Sequence, residues 1–94
     1  MIREVADRDP HNAYAQMTLG IGSVMTGQFD KAIDRFKKVI DHQPNNLEAM
    51  FNLAEAYEQK GEKAAAKGWY EKCKTLISNP DILKELDSRI NSLK

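Results

Sequence analysis

Ninety-four residues hold one domain, close to the small end of what folds unaided. Fourteen Lys and Arg balance fourteen Asp and Glu, and without surplus cationic charge a general nucleic-acid or acidic-membrane binder is excluded. A single cysteine, Cys73, excludes an internal disulfide and a cysteine-based metal cluster, and no apolar run approaches the roughly 20 residues of a membrane-spanning helix.

In chain order, the first readable helix runs from Asn12 to Met25, where Ala13, Met17, Gly20, Ile21 and Val24 recur at helical spacing. Gly27 ends it, since glycine accepts the left-handed conformation of a helix terminus. Asp30 is the expected cap of the next helix, whose apolar stripe is Ala32, Ile33, Phe36, Val39 and Ile40. Gln43-Pro44-Asn45 closes it, because proline disfavours helical geometry in the preceding residue. Leu47, Met50, Phe51, Leu53, Ala54 and Tyr57 mark a third helix, Gly61 a break, and Ala65, Ala66, Tyr70, Cys73 and Ile77 a fourth. Asn79-Pro80-Asp81 is a helix start, a capping residue followed by proline at the first helical position. The helix that follows turns Ile82, Leu83, Leu86, Ile90 and Leu93 to one side and Lys84, Glu85, Asp87, Arg89 and Lys94 to the other. Nothing alternates with period two over a useful length, so the fold class is all-α.

A shift of 34 residues superposes the chain on itself without a gap. Val5 meets Val39, Pro10 meets Pro44, Asn12 meets Asn46, Ala15 meets Ala49, Leu19 meets Leu53, Gly27 meets Gly61 and Ala32 meets Ala66. Residues 11–44 and 45–78 therefore form two units of two helices each, and 79–94 a terminal capping helix. Residues 1–10 match the back half of a unit, so the chain is expected to be a piece of a longer protein. Their missing front half would leave Ile2 and Val5 partly uncovered, and weak self-association through that end is expected.

The recurring residues resemble those of the tetratricopeptide repeat. The first unit carries Leu19-Gly20, Ala32-x3-Phe36 and Pro44; the second carries Leu53-Ala54-x2-Tyr57 and Ala66-x3-Tyr70. Small residues at Gly20, Ala32, Ala54 and Ala66 let helix backbones approach, and large ones beside them fill the space. Departures are present: Gln16 and Met50 stand for the family's tryptophan, Ser23 for its tyrosine and Ser78 for its closing proline. The resemblance implies a right-handed superhelical solenoid of antiparallel helix pairs, a single domain over residues 1–94. It also implies a non-catalytic scaffold that receives a protein, peptide or partner helix in a concave groove lined by the first helix of each unit. The alternatives are a structural spacer and a self-association segment.

Catalytic and metal chemistry finds no support. His11 and His42 lack a second ligand at helical spacing, Gly20-Ile21-Gly22 lacks a preceding strand and a Lys-Ser/Thr sequence, and Glu55/Glu58 have no nucleophile beside them. Cys73 lies on a packing stripe with no activating base. Trp69 is expected to pack beneath the capping helix. No cofactor or metal is expected, and no nucleic-acid partner.

What remains is the groove. Tyr14, Met17, Ile21 and Val24 share one face of the first unit, and the same shift places Glu48, Phe51, Glu55 and Glu58 on the equivalent face of the second, beside Asn52. That surface is apolar in one unit and acidic in the next, which suits a partner with apolar anchors flanked by Lys or Arg. The family's carboxylate clamp for chaperone tails is matched only at Asn52, since Met17 and Ile21 occupy the corresponding places in the first unit; no such clamp is expected.

Overall fold

The computed structural model describes residues 12–93. Among them the chain forms α1 (Ala13–Met25), α2 (Phe29–His42), α3 (Leu47–Lys60), α4 (Lys63–Lys74) and α5 (Pro80–Ser92), with no strand. Residues 1–11, and with them the expectations about Ile2, Val5 and His11, lie outside the described residues.

The 34-residue period is reproduced in backbone detail. The Asn12 side chain accepts a hydrogen bond from the Ala15 amide at 3.0 Å, and Asn46 accepts one from the Ala49 amide at the same distance. Each satisfies an N–H that the first turn of a helix leaves unpaired. At the other end of these helices Gly27 and Gly61 take φ of 79° and 97°. The next amide then reaches back five residues: Gln28 N–H to the Ser23 carbonyl at 2.7 Å, and Glu62 N–H to the Tyr57 carbonyl at 2.9 Å. This closure is the reason a glycine stands there.

It also corrects the expected start of α2. The turn delivers the chain to Gln28, which is the N-cap and makes no side-chain cap bond, so Asp30 falls inside the first turn instead of capping it. From there its carboxylate reaches Lys60 on α3 at 2.6 Å.

Consecutive helices pack on one another from α1 to α5, and α1 also touches α3. Two core clusters result. Met17, Ala32, Ile33, Phe36, Val39, Ala49, Leu53 and Ala56 form the first; Met50, Ala54, Ala66, Tyr70, Cys73, Leu86, Ile90 and Leu93 form the second. In the first unit the helices approach so closely that a Cβ on Gly20 would lie 2.5 Å from Phe36 Cε1. In the second unit Ala54 and Tyr70 stand at the corresponding positions, both fully buried. There the hydroxyl added to the ring needs an acceptor, because a buried polar atom without one is costly. Glu58 supplies it, accepting the Tyr70 O–H at 2.8 Å, at the position where the first unit has Val24.

The capping helix seals the second cluster with Leu86, Ile90 and Leu93. Its stripe is narrower than expected: Leu83 is half-buried and Ile82 is 44% exposed. Trp69 is half-buried and packs along both clusters, not beneath the capping helix alone, with the Lys72 ammonium 4.5 Å from its ring centre. Cys73 is fully buried, and burial pushes its thiol up to about 11, so it is filler and not a nucleophile.

Two stability outcomes follow from these contacts. Gly20→Ala should lower unfolding free energy by about 1–3 kcal/mol through overpacking against Phe36. Adding Phe36→Leu to it should recover part of the loss, which chemical denaturation of the single and double variants checks. Gly61→Val should cost about 1 kcal/mol or more, because a β-branched residue resists positive φ; unchanged thermal stability would contradict the role given to this turn.

Candidate functional site

The face of α3 that carries Glu48, Phe51, Asn52 and Glu55 is a ridge with a cleft on each side. On the α1 side lies a cleft of about 230 Å³ lined by Ile21, Val24, Met25, Phe36, Asn52 and Glu55. On the α5 side lies one of about 380 Å³ lined by Leu47, Glu48, Phe51, Ile77, Ile82, Glu85 and Leu86. Helices α1, α3 and α5 thus stand side by side along one surface.

Six of the nine expected groove residues meet there: Ile21, Val24, Asn52 and Glu55 in the first cleft, Glu48 and Phe51 in the second. Three do not. Met17 is only 9% exposed and belongs to the first core cluster. Its unbranched side chain joins Ala49 and Leu53 in that cluster, whereas Phe51 at the equivalent position is half-buried, its ring edge to face with Tyr70. Tyr14 is 72% exposed near the start of α1, outside both clefts. Glu58 is engaged by the Tyr70 hydroxyl. The sequence reading missed Met25 at the end of α1, which is strongly exposed, and the wall contributed by Ile77, Ile82, Glu85 and Leu86. The period signals Met25 weakly, since its counterpart is Gln59, and it says nothing of α5.

A third cleft of about 350 Å³ opens between α1 and α2, lined by Leu19, Ser23, Gln28, Lys31, Asp34, Arg35 and Lys38. Its charges are partly satisfied among themselves, with Lys38 3.5 Å from Asp34, and Arg35 donates to Gln16 at 3.1 Å. Among the described residues no group of three or more His, Cys, Asp or Glu stands where it could hold a metal ion, and no helix is long and apolar enough to cross a membrane.

A family model described as tetratricopeptide repeat matches residues 23–72, more than half of the chain. The chain belongs to the tetratricopeptide repeat family. No curated relative matches it in sequence. Among solved structures it is similar to the type III secretion chaperone SycD of Yersinia enterocolitica, crystallised in complex with a peptide of the translocator YopD. The TM-score is 0.80 and the identity 27%, over 98% of this chain and 70% of that chain. The described residues accordingly form an all-helical tetratricopeptide repeat solenoid.

Within this repeat protein the acidic half of the groove is knitted into the fold more than its sequence suggests. The Arg89 guanidinium on α5 lies over the Phe51 ring at 5.1 Å, and the Phe51 and Tyr70 rings meet edge to face at 5.7 Å. Burial is the main reason that the Glu55 carboxyl holds its proton to higher pH than usual; Arg89 opposes the shift and Glu58 adds to it. Burial likewise pushes the Tyr70 hydroxyl above its ordinary range, and the bond to Glu58 reinforces this.

A carboxyl whose folded pKa is raised binds its proton more tightly in the folded state, so its contribution falls as pH rises through the carboxylate range. Glu55→Gln, which cannot ionise, should therefore gain in melting temperature relative to the parent between about pH 4 and about pH 7. A constant difference between the two proteins across that range would contradict the assignment.

Proposed function

We propose that this chain is a non-catalytic interaction module that holds a peptide or partner helix along the surface of α1, α3 and α5. The observation that carries this reading is the pair of clefts flanking the α3 ridge, with Ile21, Val24 and Met25 on one side and Leu47, Phe51, Ile77 and Ile82 on the other. Apolar side chains of a partner gain most where such pockets remove them from water, and a few anchors carry most of the affinity. Asn52 adds an amide donor and acceptor at the ridge, beside Ile21 and Val24. The complex of SycD with a translocator peptide supports peptide binding as a use of this fold. Units 11–44 and 45–78 would act as one binding surface with the capping helix.

Self-association is a second reading, favoured by Tyr14 and Met25, which are 72% and 82% exposed on α1. Sedimentation across a concentration range separates it from peptide binding, because a groove module binds peptide as a monomer.

The decisive measurement is selection of a random peptide library displayed on phage against the purified chain. The enriched peptides should bind Phe51→Ala and Ile21→Asp at least about tenfold more weakly than the parent, the loss of one buried anchor. Enriched peptides that bind both variants like the parent would place the interaction elsewhere and remove the groove reading.

A further inference from the structure

The larger of the two clefts flanking α3 is made by a helix that the repeat period does not reach. Its floor and walls are apolar: Leu47 and Phe51 from α3, Ile77 from the connection, Ile82 and Leu86 from α5. Ile82 is 44% exposed there, on a helix that otherwise buries Leu86 and Ile90. The charged groups that line it are both carboxylates, Glu48 and Glu85. Arg89 lies 3.8 Å from Glu85 but rests on the Phe51 ring, leaving the Glu85 side chain 66% exposed. Glu48, also exposed, makes no ion pair among the described residues. Two carboxylates against the one Arg89 guanidinium leave the opening with a negative excess, in a chain whose net charge is zero.

Resting on the groove reading above, we infer that the α3/α5 cleft is an anchor pocket for an aliphatic or aromatic side chain flanked on the partner by lysine or arginine. The walls supply the apolar term, which acts only at contact. The rim carboxylates supply the selectivity, because they attract a cation beside the anchor and repel an acidic one. Glu55 and Glu58 contribute less to this choice: Glu58 holds the Tyr70 hydroxyl, and Glu55 retains its proton more readily than a solvated carboxyl. Charge preference therefore belongs mainly to the α5 side of the ridge; on the α1 side the helix carries no charge, and Glu55 is the one charged residue lining the cleft.

The probes are fluorescein-labelled Gly/Ser peptides with a central Leu between two Lys, a central Leu between two Glu, and a central Ala between two Lys. Fluorescence polarisation should rank the Leu/Lys peptide about tenfold tighter than either of the others, with the advantage over Leu/Glu shrinking at high salt. Ile82→Gln, at a position exposed enough to leave the fold intact by circular dichroism, should abolish the preference for Leu over Ala. The double variant Glu48→Lys, Glu85→Lys should reverse the preference between the Lys- and Glu-flanked peptides. Methyl NMR locates the bound peptide: shifts at Ile77, Ile82 and Leu86 support the pocket. Equal affinity for the three peptides, or failure of all three to bind at millimolar concentration, would overturn it. Shifts confined to Ile21 and Val24 would overturn the anchor pocket and leave the groove standing; binding that moves neither set would remove both.

Discussion

Helix α1 can lie against α2 only because Gly20 has no side chain where the Phe36 ring sits. That approach sets the spacing of the first pair, and the small residue beside a large ring is repeated as Ala54 and Tyr70 in the second. Once each pair is tight, the first helices of successive pairs fall along one side of the molecule, and α1 touches α3. The clefts on either side of α3 are the gaps left between these helices, so the binding surface is a by-product of how closely the pairs are packed.

The substitution of a tyrosine for a phenylalanine in the second pair propagates further than one hydroxyl. Its O–H recruits Glu58, its ring meets that of Phe51 edge to face, and Arg89 of the capping helix covers the Phe51 ring. A cluster of aromatic, carboxylate and guanidinium groups therefore joins α3, α4 and α5, where the first unit has Phe36 packed against Gly20. Glu58, drawn into it, is no longer free to greet a partner. This difference leaves Glu55 alone among charged residues on the α1 cleft and sets Glu48 and Glu85 on the cleft beside the capping helix.

The helices and their ends were legible because caps and breakers are local: Asn12, Asn46 and Asn79 each accept a first-turn amide, and Gly27 and Gly61 take positive φ. The start of α2 was not, because the backbone closure from Gln28 to Ser23 outranks the capping preference of Asp30. In the groove, Ile21, Val24, Phe51 and Asn52 could be read from the period, since equivalent positions face the same way. Met17 and Phe51 share a position and still diverge, because a flexible thioether fills whatever space the neighbours leave while an aromatic ring keeps its attitude. The fate of Glu58 was implicit in Tyr70, whose buried hydroxyl demands an acceptor within reach. The α5 wall was beyond a period of 34 residues that ends before it.

Helix α1 is unusual in carrying no charged residue at all, with neither an acidic side chain in its first turn nor a basic one in its last. It has no ion pairs along its flank to favour the helical state and nothing but its Asn12 cap to complement the macrodipole. With Gly20 and Gly22 in its interior, it is a poor helix in isolation. Its order is borrowed from Phe36, Ile33 and Ala49, and is acquired as those contacts form. The wall of the groove that α1 supplies therefore keeps its shape only while α2 and α3 stand beneath it.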